Sequence, residues 1–151
     1  MKNILIIAGV FIVGGIGWWL ISPLFIDRNV SEKIENIGTK DKDLEIVGQG
    51  DFVGLAGHSA QGIATLLKKE NEYYVRFEDG FEITNGPDVF VYLGKDGEYR
   101  PEARLGVLKG NMGSQNYPVP PGIDVQQYNE VWVWCRAFSV PFGRAEFRSI
   151  H

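Results

Sequence analysis

From Asn3 to Ile26 the chain carries no charge, and apolar positions follow one another with no polar face between them. A helix over this stretch would run about 36 Å at roughly 1.5 Å per residue, against a bilayer hydrocarbon core of about 30 Å. Lys2 precedes the run, and Trp18 and Trp19 stand where aromatic rings gather at a membrane interface. A cleaved signal peptide has a shorter apolar core followed by a small-residue cleavage site. Here apolarity continues through Trp18-Trp19-Leu20-Ile21, with no Ala-x-Ala pattern. The pattern predicts an uncleaved transmembrane signal-anchor over residues 1–26. Lys2 and the free amino terminus orient it with the N-terminus in the cytoplasm, which leaves the remainder outside the plasma membrane. Arg28 flanks the other end and opposes that orientation.

From residue 27 the pattern changes. Residues 27–47 are rich in charge, with Gly38 and the Lys40-Asp41-Lys42-Asp43 run, and read as a solvated tether. A short helix over Ser31 to Ile37, with Ser31 as its N-cap, fits inside this stretch. Asn29-Val30-Ser31 matches a glycosylation acceptor, a pattern too common to carry weight on its own.

The third part, residues 48–151, holds no amphipathic helical period. Short apolar runs are separated by Gly, Pro, Asn and Asp. The runs predict strands over Gly50–Leu55, Gln61–Lys68, Tyr73–Phe77, Val89–Leu93, Arg104–Lys109, Gln115–Val119, Val131–Phe138 and Val140–Arg148. Turns are expected at Glu78-Asp79-Gly80, Asn85-Gly86-Pro87-Asp88, Gly94-Lys95-Asp96-Gly97 and Gly110-Asn111-Met112-Gly113, where residues tolerate positive φ or preset a turn. The fold class is therefore all-β: an antiparallel sandwich or barrel of about eight strands behind one N-terminal transmembrane helix.

Charge narrows the partners. Every acidic residue and all the basic residues except Lys2 lie at or after residue 27, which leaves that part net acidic. No nucleic-acid partner is expected, because that would want a basic face. Surface binding to anionic lipid is disfavoured for the same reason.

One strand concentrates the chemistry. Val131-Trp132-Val133-Trp134-Cys135-Arg136-Ala137-Phe138 holds half the tryptophans and the lone cysteine. Strand alternation puts Val131, Val133, Cys135 and Ala137 on one face and Trp132, Trp134, Arg136 and Phe138 on the other. Cys135 is then either a small hydrophobe of the core or a reactive thiolate that needs a nearby cation, metal or base. Arg136 is next in sequence but points to the opposite face.

Several blocks, in order, resemble the DM-thirteen domain found in Skeletor-type and DOMON-type proteins. They are Gly50-Asp51-Phe52-Val53 with His58 and Gly62; Phe81 and Asn85-Gly86-Pro87-Asp88-Val89-Phe90-Val91-Tyr92-Leu93; Leu105-Gly106-Val107-Leu108-Lys109-Gly110-Asn111; Gly113 to Pro120 and Tyr128; Val131 to Cys135 with Phe138; and Phe142-Gly143-Arg144-Ala145. The resemblance runs from about Gly48 to Arg148. It implies an all-β extracytoplasmic domain with a proposed electron-transfer role. Its characteristic cysteine, here Cys135, would act as a bare thiol or hold a prosthetic group such as haem.

His58 is the candidate co-ligand, since a neutral imidazole ligates haem iron or a metal. The bland alternative is a loop histidine bonded to backbone. A copper site of His58, Cys135 and Met112 is chemically conceivable, but blue-copper centres want two histidines and the spare one is the terminal His151. Covalent c-type haem is excluded by the missing second cysteine. Asp88 reads as a turn residue or one carboxylate of a cation site. Tyr117 reads as core or as recognition surface, and Trp132 and Trp134 as core or as an electron relay. No nucleophile elbow, metal-binding histidine pair or phosphate-cradling loop is present, so no enzymatic activity is expected. Two functions follow: a redox module centred on Cys135, with an unknown protein or redox partner, or a non-catalytic surface module that binds protein or glycan partners through its loops.

Overall fold

The computed structural model describes residues 2–22, 26–37 and 44–149. Helix α1 runs from Lys2 to Ile21. Its large side chains are exposed on every side, with Leu5, Phe11 and Trp19 at 73–75%. Among the described residues, no helix is long and apolar enough to cross a membrane.

Ten strands follow: β1 (Glu45–Gly54), β2 (Ala60–Gln61), β3 (Ile63–Lys69), β4 (Glu72–Phe77), β5 (Glu82–Ile83), β6 (Val89–Lys95), β7 (Glu98–Val107), β8 (Gln115–Pro118), β9 (Glu130–Cys135) and β10 (Val140–Glu146). Eight of them form one antiparallel sheet in the order β7-β6-β9-β10-β1-β3-β4-β8, and β2 pairs β5 apart from it. The end strands β7 and β8 come into contact, so the sheet curls into a nearly closed barrel. The period-2 pattern gives one face of each strand to a common interior, and closure removes most of the exposed edge.

All eight expected runs contain a strand, with shifted ends. β7 starts at Glu98 and not at Arg104, because the Asp96-Gly97 hairpin lets polar residues continue the ladder against β6. β9 stops at Cys135: the backbone then turns through Arg136 to Ser139, where Ser139 has φ of 53°. Ala137 and Phe138 therefore lie in a turn, outside the strand predicted for them. The two-residue strands β2 and β5 are too short to leave an alternating pattern.

The larger departure concerns residues 27–47. The run 40–43 lies outside the described residues, but 26–37 do not form a free spacer. They lie along the open edge of β8. Val30 N–H donates to Met112 O (2.9 Å) and Glu32 N–H to Ser114 O (3.0 Å). The expected helix from Ser31 is a single 3-10 turn, Ile34–Asn36, with Lys33 and not Ser31 at the N-cap position and no side-chain cap. Ile37 is buried behind it. An unpaired strand edge is covered by this stem, which the charge-rich sequence did not suggest.

The interior is built from Phe52, Val75, Phe77, Phe81, Val91 and Val133 with their neighbours. A second apolar cluster, Phe90, Tyr92 and Trp132, lies on the outer face of the sheet.

Candidate functional site

β9 sits between β6 and β10, so its two faces are settled by long-range pairing. Val131, Val133 and Cys135 belong to the interior cluster, and Trp132 and Trp134 to the outer aromatic group. The predicted alternation therefore describes β9 as far as Cys135.

Cys135 has no exposed surface. In the ladder it lies opposite Val89 of β6 and Val140 of β10, a β-branched hydrocarbon on each side. The neighbouring Arg136 points outward. Its guanidinium stacks 3.9 Å from the Phe90 ring centroid and pairs with Asp88 at 3.3 Å. No cation reaches the sulfur from that direction, so nothing there stabilises a thiolate.

His58 closes the turn after β1, its N–H bonded to Leu55 O at 2.9 Å. Its ring lies on that of Phe142, centroids 3.9 Å apart and planes 24° apart. Phe142 is itself buried, so the imidazole faces aromatic carbon. Met112 lies in the seam between stem and barrel, bridging Asn29 and Glu82 through its backbone. His151 lies outside the described residues. Among those described, no three His, Cys, Asp or Glu side chains form a group able to hold a metal ion. A haem or copper centre on Cys135 and His58 does not fit this arrangement, because the sulfur is sealed among aliphatic groups and the imidazole is laid flat on a ring.

Asp88 is taken up by Arg136. Tyr117 is buried, donates to Gln115 Oε1 at 2.6 Å and accepts from Lys109 N–H at 3.0 Å. Burial pushes its phenol well above the ordinary range. Trp134 stacks on Tyr99 at 4.1 Å, partly buried on the outer face.

Two polar centres, one buried and one partly buried, escaped the sequence reading. Glu130 is almost fully buried at the head of β9. It accepts from Trp132 Nε1 (2.7 Å), Arg144 (2.8 Å) and Gly97 N–H (3.1 Å). An acidic residue heading an apolar strand was the available signal. Glu32, in the stem, accepts from Lys109 Nζ and from Asn116 N–H at 2.7 Å. Its carbonyl accepts from Arg76 and Ser114. No local pattern marks Glu32, since its partners lie 44 to 84 positions away.

Several clefts open at the surface of the described residues, and two of them are the roomier. One of about 570 Å³ lies by the β7–β8 seam, against Tyr73, Leu105, Pro120 and Ile123. The other, about 430 Å³, lies between the start of the stem and the loops before β6 and after β7, against Ile26, Arg28, Asn85, Phe90, Val107 and Lys109. Cys135 borders neither.

The described residues thus form an all-β, nearly closed antiparallel barrel around one sealed thiol. Residues 51–147 match the family model described as Electron transfer DM13, and the chain belongs to that family. No curated protein matches the chain, and no solved structure does.

Proposed function

We propose that this protein is a plasma-membrane-anchored, extracytoplasmic module of the electron-transfer family, whose barrel serves as a non-catalytic interaction scaffold, with Cys135 packing its core. The observation that carries this reading is the sulfur itself: fully buried, between Val89 and Val140. The anchor is supported by the uncharged run 3–26 and by a helix whose large apolar side chains, among those described, are exposed. A helix apolar all round belongs in a protein core or in lipid. The N-terminus then lies in the cytoplasm, and protease added outside intact cells releases a fragment of nearly the barrel's size.

The test of the thiol uses the full chain in detergent. Cys135 is expected to react with an aromatic disulfide reagent only once the protein is unfolded. Loading with haem or copper is expected to produce no new visible band. A Soret or charge-transfer band abolished in Cys135→Ser overturns the reading.

A second reading keeps Cys135 as the redox centre. The Tyr99–Trp134 stack favours it, since it sets two oxidisable rings in contact one residue from the thiol and reaches the surface. A tyrosyl or tryptophanyl radical trapped by an added one-electron oxidant, and lost in Trp134→Phe, would mark that route.

A further inference from the structure

Strand pairing assigns the loops to the two ends of the barrel. Val89 faces Cys135 and Phe90 faces Val107, so the Asn85–Asp88 loop, the end of β7 and the Arg136–Ser139 turn share one end. Gly54 faces Gly143, and Arg136 N–H donates to Asp88 O, which brings the β1 turn to the same end. The stem enters here too. Asn85 Nδ2 donates to Ile26 O at 2.6 Å, Asn111 Nδ2 to Asp27 at 2.8 Å, and Arg28 N–H to Asn111 Oδ1 at 2.7 Å. Only four residues separate Ile21, the last of α1, from Ile26.

The same end carries the exposed hydrophobic surface. Outside α1, the large exposed apolar side chains among the described residues are Ile26, Ile46, Val53, Ile63, Val107 and Phe138. All but Ile46 lie at the end where the stem enters; Ile46 pairs with Leu67 at the far end of β1. Phe138 tips the β9–β10 turn at 63% exposure, and Val107 ends β7 at 60%. Isolated exposed apolar residues are ordinary, but a set gathered at one end marks a contact surface.

We infer that this end of the barrel docks on the lipid bilayer that holds α1, with Phe138 and Val107 entering the headgroup boundary. The inference rests on the anchored reading above. Its independent support is the stem, which is bonded along its length to the barrel and so fixes which end faces α1. The docking is apolar. Arg136 is paired with Asp88, and Arg28 follows Asp27, so these cations are balanced by neighbouring carboxylates and the contact does not need anionic lipid.

The test reconstitutes the full chain in phosphatidylcholine vesicles, with and without lipids that carry a nitroxide high on the acyl chain. A fluorophore is placed at Phe138→Cys or, at the opposite end, at Asn71→Cys; the buried native thiol serves as the unlabelled control. An apolar side chain at the interface sits about 5–10 Å into the headgroup boundary, so the label at position 138 should lose roughly half its emission while that at 71 is unchanged. The quenching should be insensitive to salt. A label at Val107→Cys should report the same quenching, reduced when Phe138→Asp is added. Equal emission from positions 138 and 71, with Trp18 and Trp19 quenched, overturns the docking and leaves the anchor intact. Unquenched Trp18 and Trp19 overturn the anchor and the docking together. Pyrene excimers from position 138 in lipid-free detergent assign the surface to a second copy of the chain and also overturn the proposal.

Discussion

The Glu32 carboxylate grips Lys109 Nζ with both oxygens, at 2.8 and 2.9 Å, and joins the stem to the loop before β8 across 77 positions of sequence. The same ammonium donates to Asn116 O at 2.7 Å, and Arg76 donates to Asn116 Oδ1 and Glu32 O. A segment that reads as spacer is thereby part of the domain.

Glu32→Ala removes the acceptor for Lys109 and for the Asn116 amide. Charge-assisted hydrogen bonds contribute about 1.5–3 kcal/mol each, and part of that is recovered from water at a half-exposed site, so a loss of roughly 2 kcal/mol is expected. Urea unfolding of the variant measures it. Limited proteolysis should also cut between residues 26 and 37 in the variant and spare the native stem.

Acid should loosen the same joint. Burial raises the Glu32 pKa, but the hydrogen bonds from Lys109 and Asn116 and the nearby charges of Lys109 and Arg76 outweigh it and hold the group below its usual value. A depressed folded pKa adds stability that is present above the unfolded value of about 4.3 and is lost as pH falls through the folded one. Melting temperature should therefore fall more steeply below about pH 4 in the native chain than in Glu32→Gln, which has no proton to take up. Parallel slopes would remove Glu32 from the acid response.

Glu130→Ala leaves Trp132 Nε1 without its acceptor and Arg144 without its partner inside the sheet. Breaking a buried pair from one side costs about 3–5 kcal/mol, and Arg144 keeps some water here, so the lower end is expected. Denaturant midpoints give the value, and a shift in Trp132 emission reports the local change.

Gly62 has φ of +99°, and a Cβ there would stand 2.6 Å from Phe81 Cα. Gly62→Ala meets backbone, which does not swing away, and the left-handed conformation adds strain of its own at about 1–3 kcal/mol. A fall of more than about 2 kcal/mol in unfolding free energy is expected. An unchanged melting curve would show that the β2–β3 corner can move.

Cys135→Ser places a hydroxyl between Val89 and Val140, where burial without a partner costs about 1–3 kcal/mol. Cys135→Ala removes only the sulfur and should be the milder change. Thermal melts of the two variants rank them. A serine variant as stable as the native chain would mean that water or a polar group reaches position 135.

The candidate site was legible in part. Alternation in Val131–Cys135 correctly paired the valines with the thiol and set the tryptophans opposite, because a strand's period is fixed by its backbone. The same rule failed at Ala137 and Phe138, where the chain had already turned. It also says nothing of what lies across the ladder from Cys135: Val140 is close in sequence, but Val89 is brought there by the fold.

By itself the sequence determined the uncharged N-terminal run and the approximate positions of the eight barrel strands, which rest on local periodicity and turn chemistry, and the family blocks, which rest on resemblance. Tertiary structure alone decided that the stem closes the β8 edge, that Glu32 and Glu130 find their cations, that the thiol is sealed and that exposed apolar side chains gather where the stem meets the barrel. Each of these is a meeting of segments far apart along the chain, and no local pattern encodes which strand will stand beside which.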